Sequence, residues 1–317
     1  MTGAMSTGAS VSVRQKVAGN VVLAVGTSVW GTHFLVTDIL LAGWDPYFLT
    51  MARLLSATGF LLTFLTLQSR GRPFARVPWK PALLLGSAGI AVSTVLLTLG
   101  VKYAGAVPAS IVAAAAPIVA AFVARAGFGI PLTLGVAFGA VIAVTGGVIA
   151  ALGSAAGGIG TVRGGELFIL AAITLFTWYS IGAQRWLTGL SQLGITAITI
   201  MIGAMTMVVA LPVLVGLGIA ETRFELSWSS IAFILYLGAG PASFSLFTWH
   251  WGVSRVGVTI ASIYSNLVPV VVVAIRTLEG IPPTTGHVIG GILIITGVLV
   301  AQLLPSGRSR LARRRQA

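Results

Sequence analysis

The 317-residue chain contains no cysteine, which excludes disulfides, thiolate metal sites and cysteine nucleophiles. Charge is scarce: 8% of residues are Asp, Glu, Lys or Arg, against about 25% in soluble domains. Only six residues are acidic. They sit near the ends of apolar runs, so no paired-carboxylate site is expected within them. The motifs HExxH, GxGxxG, GxxxxGKS/T and GxSxG are missing, so neither an enzyme nor a bound metal or cofactor is expected. No stretch is left for a soluble nucleotide-binding domain. Residues 1–16 are polar and lead into an apolar run without a convincing cleavage site, so no removed signal peptide is expected.

What the chain has in excess is apolar sequence. Hydrophobic residues make up 56%, and the mean hydropathy is +1.01. A bilayer core requires about 20 apolar residues per helix. The sequence predicts ten spans, at about 17–40, 46–67, 81–101, 106–125, 131–152, 165–186, 194–218, 229–251, 257–277 and 284–304. Breakers separate them, among them Asp45-Pro46, Arg72-Pro73, Pro131, a glycine-rich stretch before Gly165, and Pro282-Pro283. The forty glycines suit close helix contacts in lipid, where small residues let backbones approach.

The net charge of +13 is distributed as a topology signal, and nucleic-acid binding is not expected. With the N-terminus in the cytoplasm, alternation places fourteen basic residues on that side, including Arg70, Arg72, Arg76, Lys80 and the five tail arginines from Arg308 to Arg315. The opposite side holds four (Lys102, Arg163, Arg223 and Arg276) and all six acids, while Arg53 lies inside a span. That asymmetry matches the positive-inside rule and predicts cytoplasmic N- and C-termini.

The chain is also duplicated. At an offset of 152, Gly105, Ala109, Ser110, Ile111 and Pro117 fall on Gly257, Ala261, Ser262, Ile263 and Pro269. After one residue of slippage, Gly139 falls on Gly290 and Gly146 on Gly297. An odd number of helices per repeat makes the second copy cross the membrane in the opposite sense, the inverted-repeat build of many secondary transporters. The expected organisation is a cytoplasmic segment at 1–16, a first five-helix repeat at 17–153, a linker at 154–164, a second repeat at 165–304 and a basic tail at 305–317. The predicted fold is therefore an all-α membrane protein of ten transmembrane helices in two inverted five-helix repeats.

VWGTHF around Trp30, DPYFLTMARLL with Arg53, GAVPAS followed by AAAP, GVTIASIYSNLVPVVVVAI, and GHVIGGILIITGVLV stand in order along the chain. On these stretches the sequence resembles the EamA-type families of the drug/metabolite transporter superfamily. The resemblance implies a central cavity and export or exchange of a small metabolite, an amino acid or an aromatic or drug-like solute, across a bacterial inner membrane. It implies a small-molecule substrate and a lipid bilayer as partners, and a monomer or weak dimer. Gly127 stands where family members often place a glutamate, so the first half lacks the end-of-helix anchor that Glu279 gives the second. The competing expectation is a membrane protein that does not transport, such as a lipid-flipping or sensory partner.

Polar groups inside spans are the candidate site residues, since lipid exposure is costly for them. Trp30, Phe34 and Thr37 share a helical face beside His33, which is read either as cavity-lining or as hydrogen-bonded to a neighbouring helix. In the ninth span Ser262, Tyr264, Ser265 and Asn266 form the most polar intramembrane run; Ser110 is the first-half counterpart of Ser262. Trp178, Tyr179, Ser243 and Phe247 complete the substrate-binding candidates. Trp249 to Trp251 are read as an interfacial belt with His250 free to titrate. Arg53 is read either as an anchor for a carboxylate or phosphate or as snorkelling or pairing with Asp38 or Asp45. Arg276 and Glu279, three apart, are expected to pair structurally. Pro117 and Pro269 are candidate hinges, the latter freeing the Ser265 carbonyl. Without a midplane acid, facilitated export, exchange or a histidine-linked proton step are the expected modes.

Overall fold

A computed structural model describes residues 13–68, 74, 77–129, 134–153 and 164–303. The loop arginines Arg70, Arg72 and Arg76, Arg163, the tail arginines, most of the 1–16 segment, most of the glycine-rich linker and the basic tail lie outside them. Among the described residues all regular structure is helical. The helices are α1 (Val13–Leu40), α2 (Pro46–Gln68), α3 (Trp79–Ala104), α4 (Ala106–Ala113), α5 (Ala116–Phe128), α6 (Leu134–Gly153), α7 (Gly165–Trp186), α8 (Gln192–Gly216), α9 (Trp228–Val256), α10 (Val258–Ala261), α11 (Leu267–Leu278) and α12 (Thr285–Leu303). Six of them (α1, α2, α3, α7, α8 and α9) are long and apolar enough to cross a membrane. The pair α4 and α5, bent by 48°, makes a seventh if counted as one span.

Local chemistry sets the helix ends. Asp45 Oδ1 accepts from the backbone N–H of Tyr47 (2.9 Å) and Phe48 (3.3 Å), and Pro46 opens α2 where no N–H is needed. Ser191 and Ser227 cap α8 and α9 in the same way. Gly105 and Gly257 join α3 to α4 and α9 to α10 with φ of 84° and 83°, a conformation that is costly for residues with a side chain. They are repeat counterparts, and other irregularities recur with them. A π-helical turn at Leu85–Val92 interrupts α3, and another at Gly238–Phe244 interrupts α9, starting one residue off the 152-residue offset and ending on it. The α4–α5 break at residues 114–115 is matched by the 3₁₀ turn Ser262–Asn266 before α11. Both candidate hinge prolines lie in the first turn of the helix that follows the break, where a missing N–H is tolerated. The break is therefore carried by the residues before each proline.

Many large apolar side chains are exposed, and several polar groups are buried. Thr37, Thr50, Thr98, Ser110, Tyr179, Thr199 and His250 are all fully buried. Val17, Val21 and Val25, four residues apart along α1, are about half exposed (56%, 57% and 49%), a stripe suited to lipid. One apolar core joins α2, α3, α7 and α8 around Leu54, Leu85, Tyr179 and Ile198. A second joins α1, α3, α4, α7 and α11 around Phe34, Val101, Ile173 and Val268.

The repeat counterparts α6 and α12 pack directly on each other at glycines. A Cβ at Gly146 would lie 2.7 Å from the Gly290 carbonyl oxygen, and one at Gly297 would lie 2.5 Å from the Gly139 carbonyl oxygen. The residue numbers of both contacts sum to 436, so the two helices run antiparallel, and each glycine contacts the counterpart of the other's partner. This is the reciprocity of a two-fold interface, built within one chain.

The halves also meet where α1 ends and α2 begins. Asp45 Oδ2 accepts from the Glu221 N–H (3.2 Å), the Asp45 N–H donates to the Arg223 carbonyl (2.8 Å), and Trp44 Nε1 donates to the Glu225 carbonyl (3.0 Å). Arg276 pairs with Asp38 of α1 at 2.8 Å as well as with Glu279 at 3.0 Å. These carboxylates are partly exposed, so Arg276→Gln is expected to lower stability by only about 0–1 kcal/mol. Thermal unfolding of the detergent-solubilised variant checks this; a collapse of the fold would show a larger role for the bridge.

Candidate functional site

Between the halves lies a cavity of about 130 Å³, roughly ten times what one water requires. The first half supplies Thr27, Trp30 and His33 from α1, Arg53 and Leu54 from α2, and Ile90, Ser93, Thr94 and Leu97 from α3. Ala116 and Ala120 of α5 also line it. The second half supplies Phe176 and Thr177 from α7, Pro241, Ser245 and Trp249 from α9, and Ser262 and Ser265 from the 3₁₀ turn. Both π-helical turns contribute to the wall, through Ile90 and Pro241. A π turn rotates the residues that follow it relative to a regular helix, and so turns the Ser93–Leu97 face of α3 and the Ser245–Trp249 face of α9 inward.

The cavity has one charged corner. Arg53 is 6% exposed and lines it with His33. Arg53 Nη1 lies 2.8 Å from His33 Nδ1 and 3.0 Å from Nε2. Because Cε1 stands between the two ring nitrogens, an atom this close to both sits over the ring face, off the direction of either lone pair. Thr37 Oγ1 lies 3.0 Å from His33 Nδ1 and holds the ring from behind. Arg53 Nε has no hydrogen-bond partner. Neither Asp38 nor Asp45 reaches Arg53: the first binds Arg276 and the second binds backbone N–H groups. The expected pairing of Arg53 with these acids is therefore corrected.

Another part of the lining is aromatic. The rings of Phe176 and Trp249 lie 5.7 Å apart, and Trp249 Nε1 donates to Ser180 Oγ at 2.8 Å. Trp249 was expected in an interfacial belt; the hydrogen bond and the inward turn of α9 place it in the cavity instead. Trp251 holds the end of α9, with the Arg255 guanidinium 3.2 Å from its ring centroid.

Of the substrate-binding candidates, Trp30, His33, Ser262 and Ser265 line the cavity, as does Arg53. The rest lie off it. Phe34 is fully buried in an apolar core, and Thr37 stands behind His33. Ser110 is buried and donates to the Val107 carbonyl at 2.7 Å. Ser243 donates to the Gly238 carbonyl at 2.6 Å inside its π turn. Trp178 packs edge-on against Trp186, and Phe247 is half-buried away from the lining. Tyr264 packs beside Leu23, Val253 and Ala261. Asn266 ends the 3₁₀ turn with its Oδ1 buried and unpartnered. The 3₁₀ turn is the physical cause: its tighter winding spreads consecutive side chains over different faces, so Ser262 and Ser265, three apart, share the inner one.

Tyr179 and His250 form a separate buried chain. Gln184 Nε2 donates to His250 Nδ1 (3.3 Å), which leaves Nε2–H to donate to the Tyr179 hydroxyl (2.8 Å). Tyr179 then donates to Thr199 Oγ1 (2.8 Å), which donates to the Ile195 carbonyl (2.8 Å). His250 is fully buried, so the expectation of a free interfacial histidine is corrected. Sequence reasoning missed Thr27, Ser93, Thr94, Phe176, Thr177 and Ser245. Thr27 could have been found, three residues before Trp30 on the same face; the α3 and α9 residues could not, because no local signal marks the π turns.

A family model described as the EamA-like transporter family matches the chain twice, over residues 17–152 and 163–302. A "Probable terminal-alkyne amino-acid exporter" of Streptantibioticus cattleyicolor is 28% identical over 297 residues, 93% of this chain and 95% of its own. An "Uncharacterized transporter YdfC" of Bacillus subtilis strain 168 is 28% identical over 87% of this chain and 88% of its own. A solved crystal structure superimposes with a TM-score of 0.67 over 95% of this chain and 99% of its own, at 24% identity. That likeness concerns the fold alone.

Proposed function

The chain belongs to the EamA-like transporter family and is a multi-pass membrane transporter rather than an enzyme, and from that premise we propose that it exports or exchanges a small metabolite by alternating access. The observation that carries this reading is the cavity enclosed by elements of both halves, with Trp30, His33 and Arg53 from one and Trp249, Ser262 and Ser265 from the other. A solute there would contact both halves, so rocking one against the other would open it to either side. The solute is an amino acid or an aromatic or drug-like molecule; the name of the Streptantibioticus relative and the aromatic wall support that class.

The membrane arrangement is ten spans in two inverted repeats, at 17–153 and 165–304, with both termini in the cytoplasm of a bacterial inner membrane. The antiparallel glycine pairing of α6 with α12 supports the inversion, and the charge asymmetry supports the orientation. The breaks before Pro117 and Pro269 are the flex points.

Flux from proteoliposomes loaded with a panel of amino acids and aromatic solutes tests the proposal. Efflux or counterflow of at least one solute is expected, and absence of flux across the panel overturns it. The cysteine-free chain provides a companion measurement. Ser265→Cys is expected to react with a membrane-impermeant thiol reagent, with protection by the transported solute. Protection of this position from the reagent would favour the competing reading of a non-transporting membrane protein.

A further inference from the structure

We infer that the cavity seats its solute by a single carboxylate on Arg53, with the apolar body against Trp249 and Phe176, and that it has no charged pole for an amine. This rests on the reading of the cavity as the transport site. The inference comes from an imbalance of charge. Arg53 is a guanidinium only 6% exposed, with Nε buried and unpartnered and Nη1 over an imidazole face. Among the described residues no carboxylate lines the cavity, and the nearest candidates by sequence, Asp38 and Asp45, are held elsewhere. A buried cation without a counter-ion is costly, and a guanidinium matches a carboxylate with two parallel hydrogen bonds. An entering carboxylate therefore completes the site in a way that water and neutral groups do not.

The charge count also selects among anions. Arg53 is the one permanently charged cation among the described lining residues, which balances a monoanion. A phosphate monoester, at −1.5 to −2 near neutral pH, would leave charge uncompensated. At the other end of the solute an ammonium would find hydroxyls and ring faces but no carboxylate, so the amine of a zwitterion adds little affinity. The expected order is an aryl carboxylate binding at least as well as the corresponding amino acid, with the corresponding amine weakest.

Three probes with one body test this: 3-phenylpropionate, phenylalanine and phenethylamine, titrated at millimolar concentrations against the purified full chain with thermal shift as readout. The two acids are expected to raise the melting temperature and the amine is not. Arg53→Gln is expected to weaken the acids at least about tenfold, the equivalent of one charge-assisted hydrogen bond, while Arg53→Lys retains part of their binding. Stabilisation by the amine equal to that by the acids overturns the inference, as does absence of a shift with either acid. The wild-type comparison stands even if Arg53→Gln fails to fold. Flux in proteoliposomes separates the two readings. Transport that is indifferent to the solute's carboxylate rejects the seat and keeps the transporter, whereas acid binding without flux of any acid keeps the seat and rejects the transport site.

Discussion

Gly297→Leu is expected to prevent the two halves from closing on each other. The first atom of the new side chain would already lie 2.5 Å from the Gly139 carbonyl oxygen and 2.7 Å from the Ala143 nitrogen, and backbone cannot give way as a flexible side chain can. Overpacking of a core costs about 1–3 kcal/mol where side chains can adjust. Here α6 and α12 must separate along their length, so the loss should exceed about 3 kcal/mol. Fluorescence-detected size exclusion and thermal unfolding in detergent measure it. Gly291→Leu on the same helix is the control, because a Cβ there meets nothing within 4 Å; a change within about 0.5 kcal/mol is expected. Equal behaviour of the two variants would contradict the antiparallel glycine contact. Gly146→Leu, the reciprocal change against the Gly290 carbonyl, should match Gly297→Leu, since the contact is two-fold.

The second large effect concerns the buried chain through His250. His250→Leu removes the group that accepts from Gln184 and donates to Tyr179, and should destabilise the protein by about 1–3 kcal/mol, because partners are left without their hydrogen bonds in an apolar setting. Tyr179→Phe should do the same by stranding His250 Nε2–H and removing the donor to Thr199 Oγ1. The informative variant is the double. With both polar partners gone less is left unsatisfied, so it should lose less than the sum of the singles, by about 0.5–3 kcal/mol. Thermal unfolding of the four proteins gives the coupling. Strict additivity would show that the two side chains do not form one chain.

His250 also marks where reading by sequence stopped. Its neighbours Trp249 and Trp251 look alike in sequence and lie near one end of a span. Yet Trp251 stacks with Arg255, Trp249 enters the cavity, and His250 faces Tyr179. A π turn at Gly238–Phe244 adds a residue to the winding of α9 and resets which face each of them occupies. Arg53 was legible as a buried cation in a span, but its lack of a partner was not. Asp38 and Asp45 are near it along the chain, and only the packing of α11 and of the loop before α9 shows that Arg276 and backbone N–H groups hold them instead. In the ninth stretch, Ser262 and Ser265 share the cavity while Tyr264 and Asn266 do not, because the turn there is 3₁₀.

The sequence by itself determined that this is an all-helical membrane protein resembling the EamA-type transporters, that similar stretches recur along it, and that Arg53 and His33 lie within its apolar runs. Those properties follow from local signals, namely long apolar runs, prolines and glycines at breaks, and a nearly constant offset between the similar stretches. The tertiary structure decided which face of each helix looks inward. Lipid and protein core are almost equally apolar, so hydropathy does not fix the rotation of a helix about its own axis. That rotation is set by backbone contacts at glycines and by π and 3₁₀ turns, and it brings Arg53 and Trp249 to the lining of one cavity.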